Sequence, residues 1–138
     1  MDCVFCKIVA GSLEAERIYE TAGVISFLDI YPRAPGHSLV IPRKHVELLA
    51  DLEDDVVAEL FIATREMVKI LKRALNPDGF NIGINEGKIA GQEVQHLHVN
   101  IFPRFRGDGG KPVHSVVNNP PADATEIAAK IRNSMERN

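Results

Sequence analysis

Residues 51–75 constrain the fold more than any other part of the chain. Val56, Val57, Leu60, Phe61, Met67, Val68, Leu71 and Leu75 recur with a 3.6-residue period, so the segment is expected to form one long helix with a single apolar face. Thr64 is the one lapse on that face. Asp51, Glu53, Asp54 and Asp55 crowd the start and Lys69, Lys72 and Arg73 the end, which suits the helix macrodipole at both termini. Asn76-Pro77-Asp78-Gly79 stops it.

Such a helix needs a surface to cover, and the rest of the chain supplies mostly strands. Residues 17–19 and 24–28 read as the arms of a hairpin around Thr21-Ala22-Gly23, followed by strands at 37–42, 80–85 and 94–103. Residues 6–10 read as a short helical turn closed by Gly11-Ser12. Residues 123–135 read as a further helix, with Ile127, Ile131 and Met135 on one side and a capping box from Asp123 and Glu126. Strands and helices do not alternate regularly, so the expectation is α+β with an antiparallel sheet, not a doubly wound parallel one.

At 138 residues, with 45% hydrophobic and 25% charged residues, the chain 1–138 is expected to be a single globular domain. Lys and Arg are dispersed and the formal net charge is -3, which argues against a nucleic-acid partner but leaves room for a small phosphate ligand. No apolar stretch is long enough for a bilayer, and the opening Met1-Asp2-Cys3-Val4-Phe5-Cys6-Lys7 lacks the basic and apolar regions of a signal peptide. No membrane partner and a cytoplasmic location are expected.

The chemistry is concentrated in two segments. If 94–103 is a strand, His96, His98 and Asn100 share one face while Leu97, Val99 and Ile101 face the core. His37 and His45 lie in a second strand-like segment with turn signals at both ends, so two histidine-bearing strands could pair into one site. Read alone, the His-x-His pair is as consistent with hydrogen-bonded structural histidines as with a functional pair. Cys3 and Cys6 form a C-x-x-C that is a redox pair, half a metal site or two ordinary small residues. A thioredoxin-like redox motif follows a strand, whereas this pair begins the chain, so metal is favoured if ligands arrive from elsewhere.

Taken together, Asp29-Ile30-x-Pro32, Pro35-Gly36-His37-x-Leu39-Val40-Ile41-Pro42-x-x-His45 and Gly91-Gln92-x-Val94-x-His96-x-His98-x-Asn100-x-x-Pro103-Arg104 resemble the histidine triad family of nucleotide hydrolases and transferases. The resemblance spans residues 3 to about 104 and leaves a tail at 105–138. It implies a five-stranded antiparallel sheet with one long and one or more short helices, and a homodimer with one extended sheet. It further implies a purine nucleotide cleaved at its α-phosphate, of the dinucleoside polyphosphate or nucleoside phosphoramidate class, through a covalent nucleotidyl-histidine on His98.

By the same resemblance His96, Asn100 and His37 support the nucleophile, and Asp29 meets the ribose hydroxyls. Asn85, Gly91, Gln92 and Val94 serve the substrate. Cys3 and Cys6 match a branch in which two further ligands, here His45 and His96, complete a structural zinc site. Phe105-Arg106-Gly107-Asp108 resembles the continuation found in dinucleoside polyphosphate hydrolases, with Arg104 or Arg106 as candidates to reach a polyphosphate. One departure stands out: the third triad position is usually histidine and here is Asn100. An amide donates a hydrogen bond but shuttles no proton near pH 7. The alternative reading is therefore a catalytically weak nucleotide-binding module.

Overall fold

The computed structural model describes residues 2–136. Five strands, β1 (Arg17–Glu20), β2 (Val24–Leu28), β3 (Ser38–Pro42), β4 (Gly79–Gly83) and β5 (Val99–Arg104), form one sheet in the order β1-β2-β3-β5-β4. Every neighbouring pair is antiparallel. Three α-helices accompany it: α1 (Val4–Ala10), α2 (Asp54–Leu75) and α3 (Ala124–Met135). This is the expected α+β architecture. No helix among the described residues is long and apolar enough to cross a membrane.

Alternation along the strands sorts side chains onto two faces. Val24, Val40, Leu97, Val99 and Ile101 meet Leu60, Ala63, Met67 and Leu71 of α2. Thr64 belongs to the same buried stripe, because its hydroxyl donates to the Leu60 carbonyl one turn back at 2.8 Å and so needs no solvent. Ile25, Phe27, Leu39 and Ile41 project from the opposite face and are covered by Phe5 and Ile8 of α1. The two apolar layers leave the outer face of β5 free to carry polar groups.

Four element boundaries moved by two residues or more, the first being α1, which begins at Val4 where residue 6 was expected. The long helix begins at Asp54 because Leu49–Asp51 forms a separate 3-10 turn and Leu52 is extended. The fourth strand ends at Gly83, two residues short of Asn85. Regular pairing in β5 begins at Val99, opposite Val40, and not at residue 94. Pro42 explains this last shift. Having no N–H, it cannot continue the ladder, and its carbonyl accepts from a ring nitrogen of His96 at 2.8 Å instead of from a strand.

Gly36 illustrates how tightly the sheet end is closed. Its φ is +82°, which favours glycine, and a Cβ there would come within 2.6 Å of a methyl group of the Leu75 side chain, so any larger residue would have to displace that methyl group. Beyond β5, Arg104 is held by both carboxylate oxygens of Asp108 at 2.8 Å and by the Lys111 carbonyl at 3.0 Å. Those bonds, with the Gly110 and Phe105 amides, hold the Asp108 carboxyl well below the usual carboxylate range. The arginine is thus occupied in fastening the start of the tail.

Candidate functional site

Although His96 and His98 precede the regular part of β5, the alternation inferred for the segment persists. Leu97 is buried with the α2 layer, while His96 and His98 face the α1 layer. The Leu97 amide donates to the Val46 carbonyl, which keeps the irregular stretch anchored. Phe5 lies edge-on to both rings, with centroids 5.8 Å from His96 and 5.2 Å from His98. The histidine-bearing segments give no sign of this aromatic wall; its one sequence signal is its place inside Cys3-Val4-Phe5-Cys6.

Each histidine spends one ring nitrogen on the main chain. His96 Nε2–H donates to the Pro42 carbonyl, so the bare nitrogen is Nδ1. Burial pushes the His96 pKa below the ordinary imidazole value, opposed by the Pro42 carbonyl and reinforced by His45 and His98, so the ring is neutral at pH 7. His98 Nδ1–H donates to the His96 carbonyl at 2.8 Å, which leaves Nε2 with a free lone pair.

Cys3, Cys6, His45 and His96 converge, with one ligand atom from each lying within 4.8 Å of the others. His96 Nδ1 is 3.5 Å from Cys3 Sγ and 3.6 Å from Cys6 Sγ, and His45 Nδ1 is 3.3 Å from Cys6 Sγ. Zinc bonds of about 2.3 Å to sulfur and about 2.0 Å to nitrogen, at tetrahedral angles, give a sulfur-to-nitrogen edge of about 3.5 Å. The donor set therefore fits a closed S2N2 zinc centre, with Pro42 orienting one ligand from behind. Partial burial and the adjacent Cys3 push the Cys6 thiol up, an effect that a divalent cation reverses.

On the other side of His98 lies a polar cluster. Asn100 is buried on β5, with its Oδ1 3.0 Å from His37 Nε2. The same nitrogen is 3.6 Å from Asp29 Oδ2, and Asp29 Oδ1 accepts from the Tyr31 amide at 2.8 Å. Phe102 packs on the His37 ring at a centroid distance of 4.2 Å. A cleft of about 480 Å³ opens here, lined by Leu28, Asp29, Pro32, Arg33 and His37 among others. Exposed Ile30 and Tyr31 follow Asp29 on the adjoining loop.

The remaining candidates sit on the loop between β4 and β5. Gly91 has φ +99°, and Asn85 lies exposed beside it. Both ends of the Gln92 amide are engaged: Oε1 accepts from the Gly87 amide, and Nε2 donates to the carbonyls of Glu47 and Val94. Gln92 thus shapes the loop with its side chain, and Val94 packs half-buried against the α1 layer. Contacts therefore join Asp29, His37 and Asn100 in one group and Cys3, Cys6, His45 and His96 in another. His98 stands beside the second group through the His96 carbonyl.

Residues 10–107 match the HIT domain model. The chain is 42% identical over 130 residues to an uncharacterised HIT-like protein of Methanocaldococcus jannaschii, covering 94% of this chain and 98% of that one. It is 39% identical over 104 residues to the adenosine 5'-monophosphoramidase of Schizosaccharomyces pombe, covering 75% of each. The crystal structure of a zinc-bound histidine triad family protein from Mycobacterium smegmatis is similar to it with a TM-score of 0.74 and 36% identity, over 99% of this chain and 95% of that one.

Proposed function

The chain belongs to the HIT domain family, whose members are hydrolases and nucleotidyl transferases, and on that premise we propose that it cleaves a purine nucleotide substrate at the α-phosphate through a nucleotidyl-imidazole on His98. The observation that carries this reading is the His98 ring itself. Its Nδ1–H is fixed on the His96 carbonyl, so the lone pair on Nε2 is directed away from the main chain and available to phosphorus.

In the first step the Nε2–phosphorus bond forms and the bond to the leaving group breaks, with its electron pair departing on the leaving group. Positive charge on the ring is stabilised by the carbonyl at Nδ1. In the second step water attacks the phosphorus, the phosphorus–nitrogen bond breaks, and a proton is released to solvent. Asp29 offers a carboxylate in the lining of the cleft for ribose hydroxyls, and Gly91, whose own amide and that of Gln92 donate to the Lys88 and Gly87 carbonyls, serves the substrate through the shape it gives the loop beside Asn85. Asn85 stands by the same loop for the leaving group.

Zinc, held by Cys3, Cys6, His45 and His96, would be structural: four protein ligands leave no position for water. It would tie α1 to the segment bearing His98. We also propose a homodimer formed through the β4 edge of the sheet. The activity named for the fission yeast relative supports a nucleoside phosphoramidate as substrate.

Asn100 favours a second reading, a nucleotide-binding module with little turnover. Trapping the adduct separates the two. Rapid acid-free quenching with a radiolabelled nucleotide is expected to leave label on the protein, lost in His98→Ala; binding without label on His98 would establish the module instead. Because Asn100 cannot deliver a proton, dinucleoside polyphosphates are expected to outpace amine-leaving phosphoramidates in kcat/KM. Side-by-side kinetics check this, and the reverse order would refute it.

A further inference from the structure

We propose that His37 is a positioning residue that turns the Asn100 amide so that its NH2 group, not its carbonyl, faces the phosphoryl group bound at His98. The inference rests on the reading of His98 as nucleophile and adds what its neighbour does. It begins with the Arg33 amide, which is 3.2 Å from His37 Nδ1. A main-chain N–H can only donate, so Nδ1 is the acceptor and the proton of the neutral ring sits on Nε2. The two groups facing Nε2 agree with this: Asn100 at 3.0 Å and the Asp29 carboxylate at 3.6 Å. The Asn100 atom that meets an N–H donor must be its oxygen. Orientation of the amide thus follows from the Arg33 amide through the ring.

The ring has little freedom to turn. It is buried, packed against Phe102, and sits in a turn closed by the His37 amide on the Ala34 carbonyl and the Asp29 amide on the His37 carbonyl, both 3.0 Å. At the other end of Asn100, Nδ2 has no protein partner among the described residues. It is not sealed either, since Ser26 carries the one sealed and unpartnered side-chain atom found there. Its two N–H bonds are therefore without an acceptor from the protein, on the strand face that also carries His98. Donors fixed before substrate arrives stabilise charge developing on phosphoryl oxygens without reorganisation. A carbonyl in their place would repel that charge.

The consequence is a specificity. A fixed amide stabilises the phosphoryl centre but gives no proton to the departing group, so the site selects nucleotidyl substrates whose leaving group departs as a stable anion. His37 makes that amide productive without touching substrate.

A double-mutant cycle on the full chain tests this, with the 4-nitrophenyl ester of AMP as substrate. Asn100→Ala is expected to lower kcat about 100-fold, as for loss of one oxyanion donor. His37→Leu should lower it roughly 10- to 100-fold with KM little changed, as for a misplaced group. The double variant should be no slower than the slower single, and His37→Gln, whose amide can donate to Oδ1, should recover most of the loss. Additive losses, or a His37→Gln no better than His37→Leu, would overturn the proposal. If His37→Leu fails to fold, the 15N-resolved imidazole spectrum of the unmodified protein decides: Nε2–H on His37 supports the lock, and Nδ1–H overturns it. A protein that forms no adduct counts against the nucleophile, while the tautomer still judges the lock.

Discussion

Three histidines in this protein each spend one ring nitrogen on the main chain, and that partner determines what the other nitrogen can do. Pro42 leaves Nδ1 of His96 to the thiols, His96 leaves Nε2 of His98 exposed as a lone pair, and Arg33 leaves Nε2 of His37 as a donor. Spacing alone places His96, His98 and Asn100 on one face, because a period of two is a property of the local backbone. It carries no information on Pro42, which is 54 residues from His96. The roles of the rings were therefore written in contacts that spacing cannot predict. Ser26 shows the reverse case, a polar residue with no such contact. It is fully buried opposite Val40 beneath α2, its hydroxyl without a partner among the described residues. Removing an unsatisfied buried hydroxyl recovers its desolvation penalty, so Ser26→Ala is expected to stabilise the fold by about 1 kcal/mol. Urea unfolding measures this, and a loss of stability would mean that the hydroxyl is bonded after all.

At the scale of elements, α1 is too short to persist on its own, and what fastens it is the set of donors at its beginning. Cys3 is the N-cap, its Sγ accepting from the Cys6 amide at 3.4 Å, and both thiols turn toward His45 and His96. Phe5, between them, is packed on the His98 ring. Binding of zinc to the folded chain alone would add about 4 kcal/mol to stability when free zinc exceeds its dissociation constant a thousandfold. Chelation is therefore expected to lower the unfolding midpoint and to expose residues 3–10 to proteolysis, and Cys3→Ser should reproduce both effects without chelator. An unchanged midpoint in protein shown by elemental analysis to have lost its metal would refute the structural role. The motif told which residues were available as ligands; the boundary of β5 was not legible, because it depends on a proline in another strand refusing the ladder.

At the scale of the whole molecule, the sheet has two edges that differ in kind. The β1 edge carries Arg17 and Glu20, paired at 2.9 Å, and its register slips between Arg17 and Tyr19. Charge and irregularity of that sort discourage pairing with another chain. The β4 edge is Gly79-Phe80-Asn81-Ile82-Gly83, uncharged, in unbroken register with β5 on its inner side, and with Ile82 42% exposed. An uncharged edge of this kind is a template for a second strand, and a copy of β4 related by a two-fold axis would extend the sheet from five strands to ten. Light scattering of the purified chain is expected to give the mass of two copies of the 15.2 kDa chain. Ile82→Lys, which places a charge in the middle of the shared edge, is expected to shift the population to one copy while leaving the α2 layer intact, because Ile82 lies outside the buried core. A native protein of single mass, or a dimer indifferent to Ile82→Lys and to a second charge at Asn81, would locate the interface elsewhere or remove it.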